Sequence, residues 1–164
     1  MRLGPTYVTG AALPNATSDR RVGMEGALQI FYRTRYFLTP FVEGGYAFLS
    51  TGSAPVPAGQ PGGPGILADR LDSWHVGGGL SYEFWRLRAG AAIGFYSFGL
   101  SVGLDGVSSS TTFSSLGLDG FLGVTLVKAS RFFATLDLVS HNAPTADLHY
   151  FQAAISLHGD FLRW

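Results

Sequence analysis

Read with a period of two, the chain divides into eight stretches in which large apolar side chains alternate with small or polar ones, predicting β-strands rather than helices. The first, Leu3 to Ala12, is weakened by Gly4, Pro5 and Gly10. In the second, Val22 to Tyr32, residues Val22, Met24, Leu28, Ile30 and Tyr32 share one face and Glu25, Ala27 and Gln29 the other. The third, Tyr36 to Leu49, sets Tyr36, Leu38, Val42, Tyr46 and Phe48 against Thr39, Glu43, Gly45 and Ala47. Asp72 to Trp85 sets Trp74, Val76, Leu80, Tyr82 and Phe84 against His75, Gly77, Gly79, Ser81 and Glu83. Leu87 to Gly103 is blurred by Phe95, Tyr96 and Phe98, which calls for a bulge or a change of phase and leaves its faces unassigned. Leu116 to Leu126, Phe132 to Leu138 and Leu148 to Trp164 alternate again, with Asp119, Asp137, Gln152, His158 and Asp160 opposite the leucines.

The connections alternate in kind. Arg33 to Arg35, Arg86 with its neighbours, and Lys128 to Arg131 read as tight turns. Leu13 to Arg21, the Pro/Gly/Ser-rich Ser50 to Leu71, Leu104 to Ser114, and His141 to Asp147 read as long polar loops. Eight strands joined alternately by short and long connections predict an all-β, antiparallel, up-and-down barrel, a single domain over residues 1–164.

Charge decides which face looks inward. Glu25, Glu43, Glu83, Asp119, Asp137 and Asp160 all lie on the small and polar face. The opposite face carries too many bulky groups, Phe48, Trp74, Tyr82, Phe84 and Phe132 among them, to fill an eight-stranded interior. The apolar face therefore points outward to lipid. The expected lumenal network is Glu25, Gln29, Glu43, His75, Glu83, Asp119, Asp137, Gln152, His158 and Asp160, a polar plug with Arg88, Arg131 and the histidines as partners for the acids.

Composition agrees with a chain crossing a membrane as strands. Only 13% of residues are charged and 46% are hydrophobic, with a mean hydropathy of +0.22, yet no apolar run reaches the roughly 18 residues a spanning helix needs. Aromatics collect at strand ends. Tyr32, Tyr36, Phe84, Trp85, Phe132, Phe133, Phe161 and Trp164 lie by the tight turns, and Tyr46, Phe48, Trp74 and Tyr150 by the long loops, predicting two interfacial girdles. Arg2, Arg33, Arg35, Arg86, Arg88, Lys128, Arg131 and Arg163 map to the tight-turn end, either because strand ends tolerate charge or to meet lipid phosphates. A formal net charge of zero offers no field for nucleic acid. Cysteine is absent, which excludes a disulfide framework. No signal peptide is visible, so the sequence reads as a mature chain.

This pattern resembles the small eight-stranded barrels of the OmpA transmembrane-domain and OmpX type over essentially the whole chain, without a diagnostic motif. The resemblance implies a bacterial outer-membrane location, short periplasmic turns, longer extracellular loops and contact with the bilayer and its lipopolysaccharide. It also implies insertion by the barrel-assembly machinery, which reads an aromatic-ended last strand. Phe151, Ile155, Leu157, Phe161 and Trp164 are similar to that signal, although Trp164 is out of phase with Phe161.

Candidate chemistry is sparse. Ser140, His141, Asn142, Asp147 and His149 hold the residue types of a hydrolase or metal site. The cluster resembles the outer-membrane lipid A deacylases, whose motif is His-x-Ser-Asn, but Ser140 precedes His141 and the match stops at His141 and Asn142. The Asn15 to Thr17 sequon and the glycines at 77 to 79 support no function. The expectation is a non-enzymatic anchor that displays loops to an extracellular or envelope partner, without cofactor or metal. The rivals are a lipid A-modifying enzyme using Ser140 and His141, and a small ion channel.

Overall fold

The computed structural model describes residues 1–8, 22–32, 38–55, 66–104, 107–129, 132–146 and 148–159. Eight strands, β1 (Arg2–Val8), β2 (Val22–Phe31), β3 (Leu38–Pro55), β4 (Ile66–Phe84), β5 (Leu87–Leu104), β6 (Val107–Lys128), β7 (Phe132–Ala143) and β8 (Leu148–Gly159), form a closed barrel in which sequence neighbours pair. Antiparallel pairing of β1 with β8, as at Thr6 with Gln152, shuts the sheet and leaves no lateral edge within the barrel wall.

The outward face is the apolar one. Leu28, Ile30, Val42, Leu80, Ile93, Leu118, Leu122, Leu138 and Ile155 are all at least half exposed. Water would penalise that surface heavily; hydrocarbon does not. At the strand ends Tyr32, Trp74, Phe84 and Phe132 also point out. Tyr36, Phe161 and Trp164 lie outside the described residues, as do Arg33, Arg35, Arg131, Asp147, Asp160, Arg163 and the whole first long loop. Two expected girdle members turn inward instead: Tyr150 is fully buried, and Phe133 stacks on the lumenal His158 ring at 4.4 Å. Their strands have inward positions at both ends of the barrel, and closeness to an end did not reveal the phase.

The fifth stretch contains no bulge. β5 keeps unbroken register with β4 from Leu67↔Leu104 to Glu83↔Arg88, and with β6 from Leu87↔Val124 to Leu104↔Val107. Arg88, Ala92, Tyr96 and Phe98 are buried inside while Ile93 and Phe95 look out. Alternation was blurred because this strand carries aromatics on both faces. The register shifts fall elsewhere, between Phe48 and Ser50 on β3 and between Thr125 and Val127 on β6.

Three expected loops contain long or short continuations of the strands. β3 continues to Pro55 and β4 begins at Ile66; β5 and β6 remain paired up to Leu104 and Val107; β7 runs through His141 to Ala143 before a 3₁₀ turn at Pro144–Ala146. Ser, Thr and Gly look like loop formers in isolation, but cross-strand pairing in a long hairpin overrides that preference. A tilted membrane strand needs about 9–11 residues. β1, β2, β7 and β8 have 7, 10, 12 and 12, whereas β3 to β6 have 18, 19, 18 and 22. β4 and β5 are joined at the tight-turn end by Trp85 and Arg86 alone, so the excess length lies at the long-loop end. There β3 to β6 rise above the barrel as a four-stranded ridge.

Candidate functional site

The lumen is filled by side chains, as an eight-stranded barrel requires. Its central polar group is organised by Arg2. Position 2 shares the inward phase with Gly4, Thr6 and Val8, so the long side chain runs into the barrel and is 1% exposed. Its guanidinium lies 3.1 Å from Glu25 Oε1 and 3.6 Å from Glu43 Oε2. Gln29 Nε2 donates to Glu43 Oε2 at 2.7 Å, and Gln152 Nε2 donates to the Glu25 carbonyl at 3.1 Å. His141 Nδ1 sits 2.9 Å from Asp119 Oδ1, while its Nε2 lies 3.4 Å from Glu25 Oε2. Tyr96 donates to Asp119, and its hydroxyl is 2.9 Å from His141 Nδ1. His75 Nε2 lies 3.8 Å from Glu43 Oε1.

Three carboxylates thus face one guanidinium and two imidazoles in a space closed to solvent. Breaking such a network leaves a buried charge uncompensated, which costs far more than an exposed ion pair returns. Two glycines make the packing possible. A Cβ at Gly117 would fall 2.8 Å from Tyr96 Cδ2 and 2.9 Å from the Asn142 carbonyl. One at Gly45 would fall 3.0 Å from His75 Nε2.

A second polar group lies toward the tight turns. Arg88 Nη1 donates to His158 Nε2 at 2.5 Å and lies 3.9 Å from Asp137 Oδ2. A guanidinium cannot accept, so Nε2 is the acceptor nitrogen of that ring. Ser156 donates to Asp137, and Thr135 Oγ1 lies 3.2 Å from His158 Nε2. Arg88 also lies over the Phe31 and Phe121 rings, at 5.1 and 4.8 Å. Apolar groups occupy the remaining interior. Phe41, Ala92, Phe121 and Val139 form one cluster, and Val8, Leu49, Leu71, Phe98, Leu148 and Tyr150 belong to another near the long-loop end.

The structure brings Glu25, Gln29, Glu43, His75, Asp119, Gln152 and His141 together, and Asp137 with His158. Glu83 is on the inward phase but at the tight-turn mouth, where its side chain is 40% exposed and pairs with Lys128 Nζ at 3.2 Å. Arg88, one of the expected partners for the acids, is a lumenal cation, and so is Arg2, which position alone had placed at the tight-turn end. Among the described side chains one acid departs from the rule that acids face inward: Asp72 shares the outward phase of Trp74 and pairs with Arg70 at 2.9 Å, with Tyr46 donating to it at 3.0 Å.

Ser140 and His141 are adjacent on β7 and point to opposite faces, His141 fully into the lumen. They cannot form a nucleophile and base pair. Among the described residues no group of three or more His, Asp or Glu is placed to hold a metal ion.

The ridge is the other distinctive surface. β2 pairs with β3 only as far as Met24↔Phe48, and β7 with β6 only as far as Leu118↔Asn142. Beyond those points β3 and β6 have no strand partner on their outer sides among the described residues. The 3₁₀ turn packs beside part of β6. Further out the β6 edge is Ser109, Ser110, Thr111 and Thr112, all exposed and uncharged.

No family model matches the chain, and no curated protein matches it. Solved structures do. Neisserial surface protein A matches over 98% of this chain and 94% of its own, with a TM-score of 0.63 and 12% identity. Ail, the attachment invasion locus protein of Yersinia pestis, matches over 95% and 93% in its complex with the heparin analogue sucrose octasulfate, with a TM-score of 0.58 and 12% identity. A second Ail structure gives 0.57 at 11%. At such identity the likeness is one of fold, and it coincides with a lipid-compatible exterior and a polar, filled interior: the chain folds as a small eight-stranded outer-membrane β-barrel.

Proposed function

We propose that the protein is a non-enzymatic outer-membrane anchor that presents its four-stranded ridge to a polypeptide partner outside the cell. The observation that carries this reading is the inequality of strand length: β3 to β6 exceed what a bilayer needs, and all the excess is on one side. An open strand edge binds an extended segment through main-chain hydrogen bonds. The Ser/Thr run on β6 carries none of the lysines or prolines that usually blunt such an edge. Ail is seen with a sulfated sugar. On the ridge of the present chain Arg70, already paired with Asp72, is the one cation among the described residues, which favours a polypeptide over a sulfated ligand. Contact with lipopolysaccharide around the barrel follows from the location.

The filled lumen weighs against a channel, and the opposed Ser140 and His141 weigh against a deacylase. The test compares the whole protein with a variant in which Ser101 to Ser110 is replaced by Asn-Gly, joining the paired residues Leu100 and Thr111. Both are used to select extended peptides from a display library, and both are incubated with lipopolysaccharide for lipid A mass spectrometry. Peptides retained by the whole protein and lost from the trimmed one support the reading. Equal retention by both, or a change in lipid A mass, overturns it.

A further inference from the structure

We propose that the outer wall from β4 to β8 holds one phospholipid with an anionic headgroup, drawn from the leaflet at the tight-turn end. A groove of about 680 Å³ crosses this wall, within the size range of small-molecule sites. It begins at Phe84 and Leu87 beside the Trp85–Arg86 turn, passes Leu122 and Leu136, and ends at Ala153. Register explains the depression. Ala89 faces Tyr82 on one side and Leu122 on the other, and Leu138 faces Ala153, so small outward residues lie between bulky ones. Arg88 and Asp137 also border it, but the surface it offers is almost wholly apolar and suits an acyl chain.

The headgroup end is built from charge. Arg86 lies at the turn where the groove starts; it is exposed, 5.8 Å from the Trp85 ring, and without an ion-pair partner among the described residues. Lys128 and Glu83 pair at the same rim, so among the described residues there Arg86 and Lys128 against Glu83 leave one net positive charge. An apolar trough that opens beside an unpaired guanidinium matches an acyl chain attached to an anionic phosphate. Lipopolysaccharide belongs to the opposite leaflet, and a zwitterionic lipid leaves the charge unmatched.

Trp85 reports on this rim. With Trp74→Phe and Trp164→Phe it becomes the sole indole, and its quenching is measured in vesicles containing either phosphatidylglycerol or phosphatidylcholine brominated near the headgroup end of one chain. The proposal expects half-quenching at about fivefold lower mole fraction of the brominated phosphatidylglycerol, since one basic side chain near an anionic surface contributes about 1 kcal/mol. Arg86→Gln should bring the two curves together. Ala89→Phe, which fills the trough and leaves the rim charge intact, should reduce the preference to below about twofold. Equal quenching in the parent protein, or a preference that survives both substitutions, overturns the proposal. Protection of Trp85 from both lipids would show that a second copy or another protein covers the groove, and overturns it as well.

Discussion

Arg2 shows how much of this protein turns on single side chains. Its guanidinium serves two carboxylates across three strands, and nothing else in the central cluster carries a permanent positive charge. Arg2→Met should therefore lower the unfolding free energy in detergent by about 3–5 kcal/mol, the cost of leaving a buried charge unpaired. Urea titration followed by tryptophan emission measures this, and adding Glu25→Gln should restore part of the loss. Gly117 makes a matching steric case. Gly117→Ala should cost about 1–3 kcal/mol, read from the same titration, because the added methyl meets both the Tyr96 ring and the Asn142 carbonyl. The acids of this cluster were legible because a carboxylate on an alternating strand announces its face. Arg2 was not, because an arginine near a chain end is ordinarily a surface charge; its phase with Gly4 and Thr6 was the available signal.

Strands were easier to recognise than their limits. Alternation located all eight, since one face must suit lipid and the other a narrow interior, and a one-residue slip would exchange them. Above the bilayer that pressure disappears. Ser108 to Thr112 and Thr51 to Ser53 then read as loop while pairing as strand, because hairpin pairing holds them without an apolar alternation to announce it. β5 failed differently: Tyr96 and Phe98 are large side chains accommodated inside, and only the glycine at 117 on the adjoining strand hinted at space for one of them. The trimmed ridge follows from this division. Replacing Ser101 to Ser110 by Asn-Gly should leave the thermal unfolding midpoint of the barrel within a few degrees of the parent, measured by circular dichroism, because the excised pairs lie beyond the membrane wall.

For the molecule as a whole, fold and location rest on the exterior and function on the two ends. The apolar exterior could be read from the sequence. The groove could not, since it arises from which outward residues stand beside one another across five strands, and that is a property of register. Filling of the lumen has a consequence for transport. Planar bilayers containing the protein should show no stepwise conductance, and Glu43→Gln or Asp119→Asn should not alter the baseline. Discrete channel openings that either substitution changes would contradict the packed interior and revive the channel reading.

The ridge is made from the same strands that cross the bilayer, without a hinge or linker between them. A partner pulling away from the cell would thus load β3 to β6 along their own axes, so that rows of main-chain bonds resist together in shear instead of opening one at a time. An attachment built in this way holds tension best when it is directed straight out from the membrane and yields more readily to a sideways peel. Orientation of the tug would then decide how long a contact lasts.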